Sequence, residues 1–397
     1  MFKSISSTVP KLNHPIKADP NQLQFNISNR VVPTIEAIAT GTPSHPLKQS
    51  DAAKFVANLP SIQQNQSRIE KIYKNTRIDT RHMAVDLLTD EQAAFSRERN
   101  TIKARMDTYK EYGIPLAEKV AHEAIAKIDS RTTKDEIGLI VFVSSTGFVG
   151  PGIDAELIKR LGLNRNTSRV TVNFMGCAAA MNGLRVAADY VRAYPTRKAL
   201  VVCLELSSIN AVYDDNLNDI IIHSIFGDGC AAVILGACDR NSAESIGKIA
   251  ITQHLSHLIE DTEDGITLGI EDNGITCKLS RHLPDYIEAG VNPIIERFLA
   301  SQALTKEDID LWAVHPGGTK IIQKSQASLG LTDAQVADSW AMLNQYGNML
   351  SVSVLFVLER MFKRLENKSA IDSLPVTGIA FSFSPGVGLE GILFQQM

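Results

Sequence analysis

Apolar residues recur along the chain in two rhythms. Val31–Ala39, Ile137–Val143, Arg169–Val172, Ala199–Leu204 and Ala231–Leu235 are short runs rich in β-branched and small apolar residues, the pattern of buried strands. Between them the spacing lengthens to three and four residues. Ile114, Leu116, Val120, Ala124 and Ile128 share one helical face, and so do Leu184, Ala187, Ala188 and Val191 within Leu184–Tyr194. Helices are also predicted over Gln49–Leu59 and Gln63–Tyr73. Lys74–Met83 (K-N-T-R-I-D-T-R-H-M) reads as a basic, polar segment.

After Gly236 the pattern starts again. Asp135-Glu136-Ile137-Gly138-Leu139 leads into one strand, and Glu307-Asp308-Ile309-Asp310-Leu311 leads into another that ends at His315. Each strand follows a helix and ends in a small-residue turn, Ser144-Ser145-Thr146-Gly147 and Pro316-Gly317-Gly318-Thr319. Gly176-Cys177 opens one apolar helix, and Gly347-Asn348 opens another over Met349–Leu365. Ile379–Phe383 and Leu389–Phe394 echo the closing strands of the first half. The pattern predicts an internal duplication. Two α/β halves, 31–240 and 241–397, follow an N-terminal extension over 1–30. The period is far too long for a solenoid.

Composition narrows the class. The chain has 397 residues, 44% hydrophobic and 21% charged, with a net charge of −4, so nucleic acid and anionic membrane surfaces are not expected partners. No apolar run approaches the roughly 20 residues that span a bilayer. The five cysteines (Cys177, Cys203, Cys230, Cys238, Cys277) are odd in number and show no C-x-x-C spacing. Neither a disulfide framework nor a zinc site is signalled, and a reducing, cytoplasmic setting is expected. The nine histidines include no H-x-x-x-H pair, so no metal is expected. Residues 1–30 carry Lys3, Lys11 and Lys17 but no apolar core, and read as a flexible tail, with an organelle-targeting segment as the alternative.

The chemistry gathers at Asn173–Gly183, N-F-M-G-C-A-A-A-M-N-G. Cys177 sits where a strand turns into a helix, with small alanines around its sulfur. The positive end of a helix dipole favours thiolate there. A buried core cysteine is the alternative for this stretch alone. The duplication supplies partners: Asn348 opens the equivalent helix, and His315 ends the strand equivalent to Ile137–Val143. If the halves pack about a pseudo-two-fold, the three converge beyond strand ends, where α/β folds place active sites. A Cys-His-Asn set can hold an acyl group as a thioester. An imidazolium stabilises the thiolate, and His Nε2–H with an Asn amide binds a developing oxyanion. Two other signals are set aside. Gly386–Gly391 matches G-x-G-x-x-G but lies between two strands, and His223, in an apolar run, reads as structural.

Five motifs then occur in one order: G-C-A-A-A at Gly176–Ala180, F-G-D-G at Phe226–Gly229, H-P-G-G at His315–Gly318, Y-G-N-M at Tyr346–Met349 and S-P-G-V-G-L-E at Ser384–Glu390. In them residues 31–397 resemble a type III polyketide synthase of the chalcone synthase superfamily. G-C-A-A-A-M-N-G-L-R and E-L-S-S-I-N look closer to its bacterial alkylpyrone and alkylresorcinol branch. The resemblance implies a thiolase-like αβαβα layered fold from two duplicated halves and a homodimer. It implies no bound cofactor, with acyl-CoA and malonyl-CoA as substrates. Cys177 then carries the acyl chain, His315 and Asn348 stabilise the enolate left by decarboxylation, and Phe226 is the gatekeeping aromatic wall.

The resemblance also supplies substrate-binding candidates. Lys74 falls at a CoA-contacting lysine, with Arg77 nearby and Lys320 beyond the H-P-G-G turn, while Lys71 and Arg68 are offset by one residue from family positions. Ser145, Thr146, Ser207, Cys277 and Leu350 are candidates for the cavity wall. Cys277 stands where plant enzymes have a second gatekeeping Phe, Leu350 where they have a small hydroxyl residue, and Gly150 where a methionine reaches across their dimer. More space and a more apolar wall suggest a long aliphatic starter, with an alkylpyrone, alkylresorcinol or acylphloroglucinol as product. Three alternatives stand beside this reading: a ketoacyl synthase III-type single condensation on acyl carrier protein, a cysteine hydrolase, and a scaffold subunit. The Ser384–Glu390 loop argues against the first. The purposeless duplication and missing C-G-S-C-W motif argue against the second, and the complete triad against the third.

Overall fold

A computed structural model describes residues 30–88, 101–128, 134–213, 215–271, 274–366 and 375–397. The expected extension over 1–30 lies outside them except for Arg30. In chain order the strands are β1 Val31–Gly41, β2 His45–Lys48, β3 Thr80–Met83, β4 Ile137–Ser144, β5 Ser168–Asn173, β6 Lys198–Leu206, β7 Asp228–Asp239, β8 Ile249–Leu258, β9 Ile266–Glu271, β10 Gly274–Leu279, β11 Leu311–Val314, β12 Thr377–Ser384 and β13 Gly388–Gln396. The helices are α1 Gln49–Ala57, α2 Gln66–Asn75, α3 Ile102–Ala126, α4 Ile153–Arg160, α5 Ala179–Ala193, α6 Leu217–Ile225, α7 Leu283–Ser301, α8 Thr319–Leu329, α9 Ala337–Tyr346 and α10 Ser351–Glu366.

Nine strands form one sheet in the order β11-β12-β13-β8-β1-β7-β6-β4-β5. Its seam is β1 against β8, where Thr34 faces Ala250 and Ile35 faces Ile249. Outward from the seam the two sides match. β1 pairs antiparallel with β7 as β8 does with β13, and β4 runs parallel to β6 as β11 does to β12. The fold is a thiolase-like duplication, and β5 has no counterpart among the described strands.

Three apolar cores explain the layering. One packs α1–α4 on the outer face of the first half, and another packs α7–α9 on the second. Between them α5 and α10 share a core with both sets of strands. A helix enclosed on all sides needs apolar residues beyond a single stripe. In α10 the run Ser351–Leu358 is buried without interruption, and in α5 so is Ala179–Leu184.

Several elements differ from the sequence expectation. The helix expected from Ile114 begins twelve residues earlier, at Ile102, because Thr101 caps it and it continues through Pro115. The apolar spacing upstream is too sparse to show this. The helix expected from Gln63 begins at Gln66, because the Asp215 carboxylate accepts the backbone N–H groups of Gln63, Gln64 and Asn65 and holds them out of the helix. Arg169–Val172 is a strand but not a buried one. It lies in β5, the sheet edge, where Ser168, Arg169, Thr171 and Asn173 are exposed. Lys74–Met83 is not a uniformly solvated polar segment, since Arg81 within it is only 1% exposed.

The α5 packing gives a stability test. A Cβ on Gly183 would lie 2.9 Å from Val143 Cγ2 and 3.3 Å from Val201 Cγ1, both on buried, branched side chains of the sheet. Gly183→Ala should therefore lower stability by about 1–3 kcal/mol in urea unfolding, although alanine is the better helix former by roughly 1 kcal/mol. An unchanged or raised midpoint would show that the helix is free to move off the sheet.

Candidate active site

The nucleophile turn is held from three directions. Phe174 and Gly176 both have left-handed backbones, φ 57° and 56°, which turn the chain from β5 into the short helical turn Gly176–Ala178 that continues as α5. Glycine carries this conformation at no steric cost; phenylalanine does not. The Gly176 N–H donates to Ser145 Oγ at 3.0 Å, and Ser382 Oγ donates to the Cys177 carbonyl at 2.8 Å. A Cβ on Gly176 would meet Pro385 Cδ at 3.2 Å. The β12–β13 turn at Pro385 thus lies against the cysteine turn, and the G-x-G-x-x-G stretch runs from that turn into β13 rather than lying wholly between the strands.

Asn348 is fixed by its backbone and its side chain. Its N–H donates to the Ile225 carbonyl at 2.8 Å, and the Gly227 N–H donates to its carbonyl at 3.0 Å, so Phe226 is locked beside it. Its Oδ1 accepts the Leu350 N–H at 2.9 Å. That bond settles the amide's orientation. Nδ2 therefore donates to the Gly317 carbonyl at 3.1 Å and lies 3.9 Å from Cys177 Sγ. A Cβ on Gly317 would fall 3.0 Å from His315 Nε2, so only a bare backbone fits between the asparagine and the imidazole. The His315 N–H donates to the Phe381 carbonyl across β11–β12, but both ring nitrogens are buried with no hydrogen-bond partner. A buried imidazole with both nitrogens uncommitted is unusual in a structural role.

Burial sets the electrostatics. It pushes the half-buried Cys177 thiol up, the neighbouring Cys277 adds to this, and the Asn348 amide opposes it. It pushes His315 down to about 3. Burial thus favours the neutral thiol at Cys177 and the neutral imidazole at His315. Glu205, unnoticed in the sequence beyond its motif, lies beneath the turn and is pushed up to about 7 by burial. It accepts from the Ser145 N–H, the Thr146 hydroxyl and the Ser351 hydroxyl.

A cavity of about 460 Å³ opens beside this centre. Ser145, Thr146, Ser207, Phe226, Cys277 and Leu350 all line it, as the sequence indicated, and His223 lines it too, against expectation. Leu350 has φ 43°, a strained backbone that aims its side chain into the buried wall. The lining is mixed, since Asn210, Asn218 and Thr276 stand among Val212, Ile222, Leu268 and Ile275. Gly150 is exposed and outside its own chain's lining, and a Cβ there would touch nothing of this chain within 4 Å. Lys74 and Arg77 are also elsewhere. They line a second cavity of about 700 Å³ with Lys48, Lys54, Glu70 and Asp79, and the Arg77 guanidinium lies 4.7 Å from the Trp340 ring centroid. Lys320, Arg68 and Lys71 are exposed and line neither cavity. Thr319 Oγ1 donates to the Asn75 and Thr76 carbonyls, tying the end of α2 to the turn that carries His315.

Arg81 was missed because its role depends on distant partners. Its Nη1 donates to the carbonyls of His223 and Phe226 at 2.6 and 2.7 Å, and its Nε donates to Gln49 Oε1 at 3.0 Å. It fixes the end of α6 from behind. Asp228 of F-G-D-G is a brace of the same kind, accepting from the Ala84 and Ser208 N–H groups rather than facing the cavity.

Comparison with known proteins agrees with this architecture. Residues 22–239 match the family "Chalcone and stilbene synthases, N-terminal domain" and residues 250–397 its C-terminal domain. The chain belongs to the chalcone and stilbene synthase family. It is 50% identical to "Alpha-pyrone synthesis polyketide synthase-like Pks18" of Mycobacterium tuberculosis over 92% of this chain and 91% of that one. "Polyketide synthase 37" of Dictyostelium discoideum is 35% identical over 87% of this chain, which spans 12% of that protein. The crystal structure of PKS-I from the brown alga Ectocarpus siliculosus superposes with a TM-score of 0.87 at 44% identity, covering 93% of this chain and 99% of that one. The protein is a type III polyketide synthase, an acyltransferase. No helix among its described residues is long and apolar enough to cross a membrane.

Transfer of the Cys177 proton to His315 is testable. In His315→Gln, burial holds the Cys177 sulfur as thiol, so iodoacetamide modification at pH 7 should slow at least about tenfold and climb as pH rises. An unchanged rate and pH profile would show that the imidazole does not take the proton.

Proposed function

We propose that this synthase carries its growing chain on Cys177. The sulfur attacks the carbonyl of an acyl-CoA starter, and CoA leaves as the thiol. Malonyl-CoA then loses CO₂, and the electron pair of the broken C–C bond becomes a thioester enolate, held by His315 Nε2–H and Asn348 Nδ2–H. The enolate carbon attacks the Cys177 thioester and expels the sulfur, so the lengthened chain leaves on CoA and can be reloaded. The observation that carries this reading is the Asn348 amide poised between Cys177 Sγ and Gly317, next to an imidazole with no other partner. Phe226 walls the site, and a dry site favours loss of the carboxylate as CO₂.

The basic 700 Å³ cavity suits CoA phosphates, with Lys48 and Lys54 joining Lys74 and Arg77, and it lies at the end of α2 that Thr319 ties to the His315 turn. The 460 Å³ cavity takes the acyl chain. Cys277 and Leu350 in place of larger or more polar groups favour a medium- or long-chain fatty acyl starter. The name of the mycobacterial relative favours an alkylpyrone over an alkylresorcinol or acylphloroglucinol. Assays with malonyl-CoA should show faster turnover of decanoyl- to octadecanoyl-CoA than of coumaroyl-CoA, and the reverse order would sink the starter assignment. Cys177→Ala should abolish chain extension entirely, and retained extension would sink the mechanism.

We infer a homodimer, and the exposed β5 supports it. An unpaired edge with Val170 and Val172 half-covered, beside the Phe148–Phe174 ring pair, invites pairing with a second copy. The protein should sediment as a dimer and Val172→Asp as a monomer, whereas a wild-type monomer at micromolar concentration would refute the interface.

A further inference from the structure

We propose that His223 is a further substrate-positioning residue, whose Nδ1–H donates a hydrogen bond to a keto oxygen of the chain in the 460 Å³ cavity and so sets how far extension proceeds before ring closure. The proposal rests on the mechanism above. Four observations carry it. His223, in the last turn of α6, lines the cavity together with Phe226, the residue that ends that helix. The Val212 N–H donates to His223 Nε2 at 3.1 Å. With Nε2 acting as acceptor, the neutral ring must carry its proton on Nδ1. Nδ1 has no protein partner among the described residues, and the side chain is half-buried, so a ligand in the cavity can reach it.

The other polar side chains of the wall are largely committed. Asn210 Nδ2 donates to the Thr146 carbonyl, Asn218 Nδ2 to the Cys277 carbonyl, and the Thr146 hydroxyl to Glu205. His223 and Ser207, whose hydroxyl has no partner, are the exceptions among these. The ring is also held still. Its carbonyl is gripped by Arg81, and the ring packs against Tyr213 with centroids 5.2 Å apart. Burial, with Arg81 and Arg105 adding to it, pushes His223 down to about 4, so it stays neutral at physiological pH. A neutral imidazole N–H binds a keto oxygen without protonating the enolate needed for the next condensation. A polyketide offers such acceptors at every second carbon. A fixed donor therefore selects among chain lengths and folds, which a smooth apolar wall does not.

Two measurements on the full-length protein decide this. The first is nitrogen NMR of histidine-labelled enzyme. It should show His223 as the Nδ1–H tautomer, with the Nδ1–H resonance shifting when 4-hydroxy-6-methyl-2-pyrone is added. An Nε2–H tautomer, or no shift at saturating pyrone, would overturn the proposal. The second is product analysis with a fatty acyl-CoA starter and malonyl-CoA. His223→Leu, if its melting temperature shows it folded, should change the ratio of tetraketide to triketide products about fivefold, the worth of one neutral hydrogen bond. His223→Gln offers Val212 an acceptor and the cavity a donor, and should restore the ratio to within about twofold. A wild-type ratio in the folded Leu variant would overturn the proposal. If the Leu variant does not fold, the NMR result stands as the test. Failure of the wild-type enzyme to extend any starter would instead count against the mechanism, and the tautomer would still report on His223 itself.

Discussion

The structure depends on burying two helices back to back. α5 and α10 lie between the halves of a single sheet, and each leaves few positions facing water. Their exclusion from solvent is non-directional, but the fit is not, because Gly183 brings α5 close enough to touch Val143 and Val201. This packing fixes where both helices start. Cys177 precedes α5 and Asn348 precedes α10, so sealing the central layer also brings the two residues within 4 Å. The duplicated architecture and the catalytic geometry come from the same constraint.

Around that centre, directionality comes from backbone groups. Asn348 is bonded to residues flanking Phe226 on one side and to Gly317 on the other, and the Cys177 turn is bonded to Ser145 and Ser382. Almost every polar group nearby is committed. Among the described residues the buried groups without a partner include the two nitrogens of His315 and the hydroxyl of Ser207. Leaving a buried donor unpaired costs about 1–3 kcal/mol, so such groups are where a ligand's polar atoms would be bound. Burial also explains why thiol and imidazole each favour their neutral form.

Much of the centre was legible in the sequence. Cys177, His315, Asn348 and Phe226 stand in short motifs whose order and repetition are linear properties, and the wall residues Ser145, Thr146, Ser207, Cys277 and Leu350 converge as their motifs indicated. What failed involved partners far away in the chain. Arg81 reads as one more cation in a basic segment until Gln49, His223 and Phe226 surround it. His223 reads as a core histidine until Val212 fixes its tautomer at the cavity wall. The start of α2 is set by Asp215, roughly 150 residues away.

The sequence by itself therefore determined the motif residues, the duplicated α/β pattern and the family, because residue identity, periodicity and motif order are local. Only the tertiary structure decided which cations line a cavity, that β5 is an exposed edge and not a buried strand, and which polar groups of the wall are bonded. Those properties are set by what packs against a residue, and the packing partners come from the other half of the chain or from elements separated by scores of residues.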